Sequence, residues 1–321
     1  MLKTLIRPLL IVAAFAAGYC VPEARSLTFL IRYLLLAMLY FVCLQVKIVH
    51  LKPRGSHWKI LLANILIGTC GWAVLLFSGY PELACAVFFT GISPTASAAP
   101  VITRFLGGSV TYVVVSFLIT NVGISASLLG LIPLVTGNFT FSFFQDVAGN
   151  LLLVLGVPAL AALLSRKFIS SSREWPERLP LLSFTLWLLM LFITAGSASS
   201  FIRSTPDLSP LILLSIAGLS LGLCVLNFTV GYFLGGWRYR REAGQSLGQK
   251  NTMFTLYLAL TFSSPLAAMG PTFYVLWHNL WNAAQMFLHD RRKNLRKKKR
   301  RAPCGNERKR YIDAVMKEPE P

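Results

Sequence analysis

The stretch GQSLGQKNTMFTLYLAL, residues 244–260, sets one ammonium group, that of Lys250, against a long apolar run. Gly244, Gly248, Gln245, Gln249 and Asn251 crowd around it. An ionisable side chain beside membrane-grade sequence is a functional-site candidate, because burying its charge is expensive. A second stretch, GISPTASAAPVITRFLGGS at 91–109, sets Pro94 and Pro100 around small and hydroxylated residues, Ser93, Ser97 and Ala99 among them. Proline removes a backbone donor and breaks a helix ladder, and in the first stretch Gly244 and Gly248 precede Asn251, so both stretches read as interrupted helices. The free N–H and C=O groups at such half-helix ends can hold an ion or an anionic substrate.

Other chemistry is sparse. There is no Gly-rich phosphate loop and no pair of carboxylates inside an apolar run. The 12 acidic residues fall in loops, at span ends or in the tail; Glu82 opens one apolar run and Glu242 precedes another. The 6 cysteines form no CxxC pair and read as small apolar packing residues. The 4 histidines, His50, His57, His278 and His289, have no metal-ligand spacing. No metal or cofactor is expected. His278 as the base of a membrane-embedded enzyme lacks a nucleophile or acid partner at readable spacing.

The elements that must position these residues are helices in a bilayer. Hydrophobic residues make up 55% of the chain and charged ones 13%, against about 25% charged in a soluble domain. Continuous apolar runs recur at lengths that cross a membrane. A barrel's alternation is missing, so the chain reads as an all-α polytopic membrane protein. Ten spans are expected, at roughly 5–20, 27–49, 57–78, 82–106, 109–136, 143–167, 179–200, 208–236, 244–262 and 265–289. Residues 1–290 form one transmembrane unit. Residues 291–321 form a basic tail, expected to be disordered and drawn to anionic lipid. The start, MLKTLIRPLLIVAAFAAGYC, has signal-peptide character; retention is favoured because ten spans divide into two halves of five.

Lysine and arginine gather on alternate loops, including Lys47, Lys52, Arg54, Arg104, Arg166, Lys167, Arg238, Arg240 and Arg241. The opposite loops hold little beyond Arg25, Arg32 and Arg203. The bias places both termini in the cytoplasm of a plasma (bacterial inner) membrane. It also accounts for the net charge of +19 without a nucleic-acid partner. One interrupted segment falls fourth in the first half, about 5–136, and the other fourth in the second, about 143–289. Matching interruptions in two halves point to inverted five-helix repeats whose broken helices cross at the bilayer midplane, as in secondary transporters. As packing kinks, the same prolines and glycines would carry no function.

Four stretches then resemble the bile acid:sodium symporter family: GISPTASAAPVITRFLGGSV, PALAALLSRK with LPLLSF, LGQKNTMFTLYLAL, and VLWHNLWNAAQMF. The likeness keeps even spacing from the first span to about residue 290. It implies a panel and a core domain, with broken helices 4 and 9 crossing in the core. It also implies organic-anion substrates, bile acids or small carboxylates. On the family's pattern, Ser97, Asn251, His278 and Asn279 are candidate substrate contacts, and Ser93, Pro94, Gly248 and Gln249 belong to the crossover. The departures fall on the family's sodium ligands. Its fourth-span Ser-Asn pair falls on Ala99 and Pro100, its fifth-span hydroxyls on Val113 and Phe117, its ninth-span Glu on Ser246, and its Gln on Lys250. The resemblance therefore implies a transporter that has lost its sodium sites, with Lys250 standing in for the sodium charge. Two other readings stand beside it: Lys250 snorkelling to lipid phosphate at the cytoplasmic edge, and a receptor or scaffold of the same fold that no longer transports. Asn251 could equally be a helix cap.

Overall fold

Lipid tails offer no partner to backbone N–H and C=O groups, so each apolar run closes its hydrogen bonds within itself. The computed structural model describes residues 10, 13–45, 52–96, 98–204 and 210–301, and they are helical almost throughout. In chain order the helices are α1 (residues 13–20), α2 (Leu30–Gln45), α3 (Gly55–Phe77), α4 (Pro81–Gly91), α5 (Ala99–Phe105), α6 (Val110–Thr136) and α7 (Phe141–Phe168). There follow α8 (Trp175–Arg178), α9 (Pro180–Ser204), α10 (Pro210–Leu234), α11 (Gly236–Gly248), α12 (Thr252–Phe262) and α13 (Pro265–Arg301). Four stretches, Gly55–Phe77, Val110–Thr136, Phe141–Phe168 and Leu211–Leu234, are long and apolar enough to cross a membrane. The chain is a helical, multi-pass membrane protein.

Helix boundaries follow local chemistry. Pro81, at the start of α4, loses no hydrogen bond there because first-turn N–H groups have no intrahelical partner. Thr140 caps α7, its hydroxyl accepting from Phe143 N–H at 3.3 Å. Gly137 ends α6 at φ 69° and Gly236 turns α10 into α11 at φ 58°, left-handed positions that favour glycine.

The helices sort by contact into two groups. In one, α2 packs on α7 and α9, with the 3-10 turn Pro22–Leu27 against α9. In the other, α3 packs on α4 and α6, α10 on α11 and α13, and α13 on α4 and α12. A shared apolar core joins them, with Ile31, Leu35 and Leu39 of α2 and Met190 of α9 in one cluster with Phe88, Ile124 and Phe254. Large apolar side chains also face outward, as lipid rather than water is the solvent: Phe77, Val122, Leu152 and Phe233 are all exposed.

Three expectations need correction. The ninth segment does not begin at 244: α11 starts at Gly236 and carries Glu242 inside it, buried. The string WRYRRE looks like a loop by charge, yet arginine and glutamate are good helix formers. The interruption is therefore short, Gln249–Asn251, rather than 244–251. The tail also departs from its expected start: α13 continues to Arg301, because leucine, lysine and arginine extend a helix already nucleated in the bundle. Residues 302–321 lie outside the described residues, as do most of the first span's residues before 13.

Candidate functional site

Two half-length helices end in the interior. Each of α4 and α12 has 11 residues, about 16 Å, or roughly half a hydrocarbon core. After α4 the chain leaves the helix at Ile92, and Pro94 cannot supply the next N–H. The extended residues that follow lie antiparallel to the break after α11, with Thr95 and Lys250 paired. Ala96 N–H donates to Gln249 O at 2.8 Å, and Asn251 N–H donates to Pro94 O at 2.7 Å. Each interruption thus satisfies the backbone of the other.

Thr95 ties this junction to α6 and α11. Its N–H donates to Thr120 Oγ1 at 3.2 Å and its carbonyl accepts from Asn121 Nδ2 at 3.0 Å. Its hydroxyl donates to Ser246 O at 2.6 Å. Ser93 Oγ meets Thr255 Oγ1 across the same junction. Tyr274 of α13 closes the end of α11, donating from its hydroxyl to Gly248 O at 2.8 Å. A Cβ on Gly248 would lie 2.4 Å from the Phe228 ring, so α10 and α11 pack this closely only around glycine.

Lys250 turns inward and is 1% exposed. Its ammonium donates to Gly91 O at 2.8 Å and to Asn64 Oδ1. Gly91 O is the carbonyl that Thr95 N–H would take if α4 continued. The lysine therefore occupies the negative end of the first half-helix, where a cation is favoured. Asn64 reaches it because α3 and α4 touch through Gly68 and Gly91: a Cβ on Gly91 would stand 2.7 Å from Gly68 Cα. Gly68 lies one helical turn beyond Asn64, so the close contact and the acceptor share a face. The snorkelling alternative places Lys250 in water or headgroups, and this geometry does not.

The remaining sequence candidates are placed unevenly. Ser246 and Ala99 are fully buried at the junction, and Ser246 Oγ has no partner among the described residues. Pro100 lies in the first turn of α5, and Ser97 lies outside the described residues. Asn251 holds the N-cap position of α12 but its side chain makes no cap bond. His278 is buried edge-on to the Tyr274 ring, and Asn279 bonds back to Val275 O at 2.7 Å. These two sit on α13, in the turn after Tyr274, whose hydroxyl reaches Gly248 O. Val113 and Phe117 are buried apolar residues of α6, while Thr120 and Asn121 are the α6 residues that meet the crossing.

Sequence reasoning missed Asn64, Thr95 and an amide chain. Gln249 Nε2 donates to Gln245 Oε1 at 3.1 Å, and Gln245 Nε2 donates to Gln285 Oε1 at 2.6 Å. A lone Asn in an apolar span and amides spaced four apart are the signals that were present. Glu242 accepts from Ser109 N–H at 2.8 Å at the start of α6, away from the crossing. The crossing gathers the hydroxyls of Ser93, Thr95, Thr120 and Thr255. Ala99 and Pro100 offer no side-chain oxygen, no carboxylate is among the junction's hydrogen-bond partners in the described residues, and Lys250 supplies a positive charge.

Fold and site together define a membrane protein with two interrupted helices crossing in its interior around a buried lysine. No known protein-family model matches the chain, and no curated protein matches it either.

Proposed function

We propose that this chain is a secondary transporter of organic anions, bile-acid-like or small carboxylates, working by alternating access without sodium. In this reading the ten spans form two inverted five-helix repeats, with α4–α5 and α11–α12 as the paired broken helices. The α2, α7 and α9 group serves as panel and the remainder as core. Lys250 is a tethered cation, taking the carbonyl that a bound ion would otherwise hold. The protein sits in the plasma (bacterial inner) membrane with its C-terminus cytoplasmic and its basic tail on anionic lipid. The observation that carries the reading is the Lys250 ammonium, buried and donating to Gly91 O at 2.8 Å, at the crossing of two half-helices. The resemblance to the bile acid:sodium symporter family supplies the substrate class.

The test is counterflow of cholate and of small carboxylates in proteoliposomes, with sodium replaced by choline and repeated from mildly acidic to mildly alkaline pH. Uptake that persists without sodium supports a uniporter or exchanger if it is insensitive to pH. Uptake without sodium that follows pH supports proton coupling, in which desolvation disfavours the lysine's charged form in one conformation. Uptake abolished by choline refutes the tethered cation, and absent counterflow favours a receptor or scaffold.

A further inference from the structure

The side of the chain poor in lysine and arginine holds Arg25, Arg32 and Arg203, and of these Arg32 lines a cavity. Arg32 lies in the first turn of α2, where the sorting of positive charge acts against it. It is partly buried, and among the described residues it makes no ion pair. It lines a cavity of about 300 Å³ with Thr28, Phe29, Tyr33, Tyr257, Leu260 and Thr261. The walls come from different helix groups, α2 on one side and the outer end of α12 on the other. Tyr257 is held in place by donating to Asn150 Oδ1 of α7 at 2.7 Å. Lys250 does not line this space.

We propose that this cavity is an anion-binding site in which the Arg32 guanidinium receives a carboxylate. Tyr257, Leu260 and Thr261 wall the rest of the ligand on one side, with the exposed Phe29 and Tyr33 at the rim; the hydroxyls of Thr28, Thr261 and Tyr257 already donate within the protein, which leaves Arg32 as the donor for the anion. A guanidinium presents paired N–H donors that match a carboxylate's two oxygens. The volume is at the small end of ligand pockets, about 300–1,000 Å³. The ligand class is therefore a monocarboxylate with a compact ring body. This assignment rests on the transport reading for its choice of an organic anion. It adds to that reading a recognition residue on the opposite side of the crossing from the basic loops.

The test uses the full chain in lipid nanodiscs, with 2-naphthoate and its uncharged analogue 2-naphthamide as probes. The wild-type protein should bind naphthoate saturably and prefer it to the amide by at least about ten-fold. Arg32→Gln should erase that preference, and Arg32→Lys should keep part of it, as a point charge replaces a fork. Leu260→Trp, which fills the cavity and leaves Arg32 intact, should weaken both probes. Helical circular dichroism and gel-filtration elution matched to wild type establish that each variant folds. Absence of naphthoate binding by the wild type, or binding and preference unchanged in Arg32→Gln and Leu260→Trp, overturns the site. Naphthoate counterflow run in parallel separates the two readings. Arg32-dependent binding without counterflow keeps the site and removes transport. Counterflow with unchanged KM in Arg32→Gln keeps transport and removes the site.

Discussion

A double-mutant cycle between Lys250 and Asn64 tests whether a charge is truly held at the crossing. Lys250→Met removes two donors, one to Gly91 O and one to Asn64 Oδ1. Hydrogen bonds from a charged group contribute about 1.5–3 kcal/mol each, so about 3–6 kcal/mol is lost. Methionine has no charge to desolvate, and that relief is worth several kcal/mol. The two effects nearly cancel, and a net loss of about 0–2 kcal/mol is expected. Asn64→Leu acts in the opposite way: it leaves the ammonium buried with one acceptor fewer, at a cost of about 3–5 kcal/mol. Asn64→Leu should therefore be the more damaging change, although it removes the smaller side chain. In the double variant the orphaned charge is gone, so stability should return towards that of Lys250→Met; full return is a coupling equal to the Asn64→Leu cost, about 3–5 kcal/mol. Equilibrium unfolding in mixed micelles, followed by tryptophan fluorescence, reads all four corners. Additive losses, or Lys250→Met as the worse single change, would refute a buried ammonium shared between these two acceptors.

Other outcomes follow from the same geometry. Tyr274→Phe strips the donor from Gly248 O and should cost about 1–3 kcal/mol in the same unfolding assay. Gly248→Ala forces a methyl into the Phe228 ring and should cost about 1–3 kcal/mol; Phe228→Leu should restore much of that loss, and no rescue would place the strain elsewhere. Cholate or carboxylate uptake should survive replacement of sodium by choline. Arg32→Gln should abolish acid-over-amide selectivity while leaving Lys250-dependent stability unchanged.

The parts of this architecture written in local chemistry were legible. Pro94 and Pro100 cannot sit quietly in a helix, and Gly248 with Asn251 marks the second break, so both interruptions could be read from the chain. Lys250 stood out because charge is rare in apolar sequence. What was not legible depended on partners far away in the chain. Asn64 is an unremarked amide in an apolar span until folding brings Lys250 to it. Glu242 looked like loop because charge was read as solvent exposure, whereas its carboxylate serves the backbone at the start of α6. Thr120 and Asn121 of α6 likewise pass unnoticed in the chain, because only folding brings them to Thr95.

The pairing of the two breaks bears on how the protein is made. Asn64 and Gly91 precede Lys250 by 186 and 159 residues. A chain emerging from its N-terminus presents both acceptors long before the donor exists. Until α11 and α12 arrive, Gly91 O, Pro94 O and the Ala96 N–H lack the partners they have in the finished molecule. Bare polar backbone is intolerable in lipid, so α4–α5 must stay wet or shielded by the insertion machinery during synthesis of the second half. Lys250 arrives to find its acceptors waiting, and its own burial is the step that seals both halves. A chain truncated before residue 249 lacks these partners and leaves the polar ends of the first half unsatisfied.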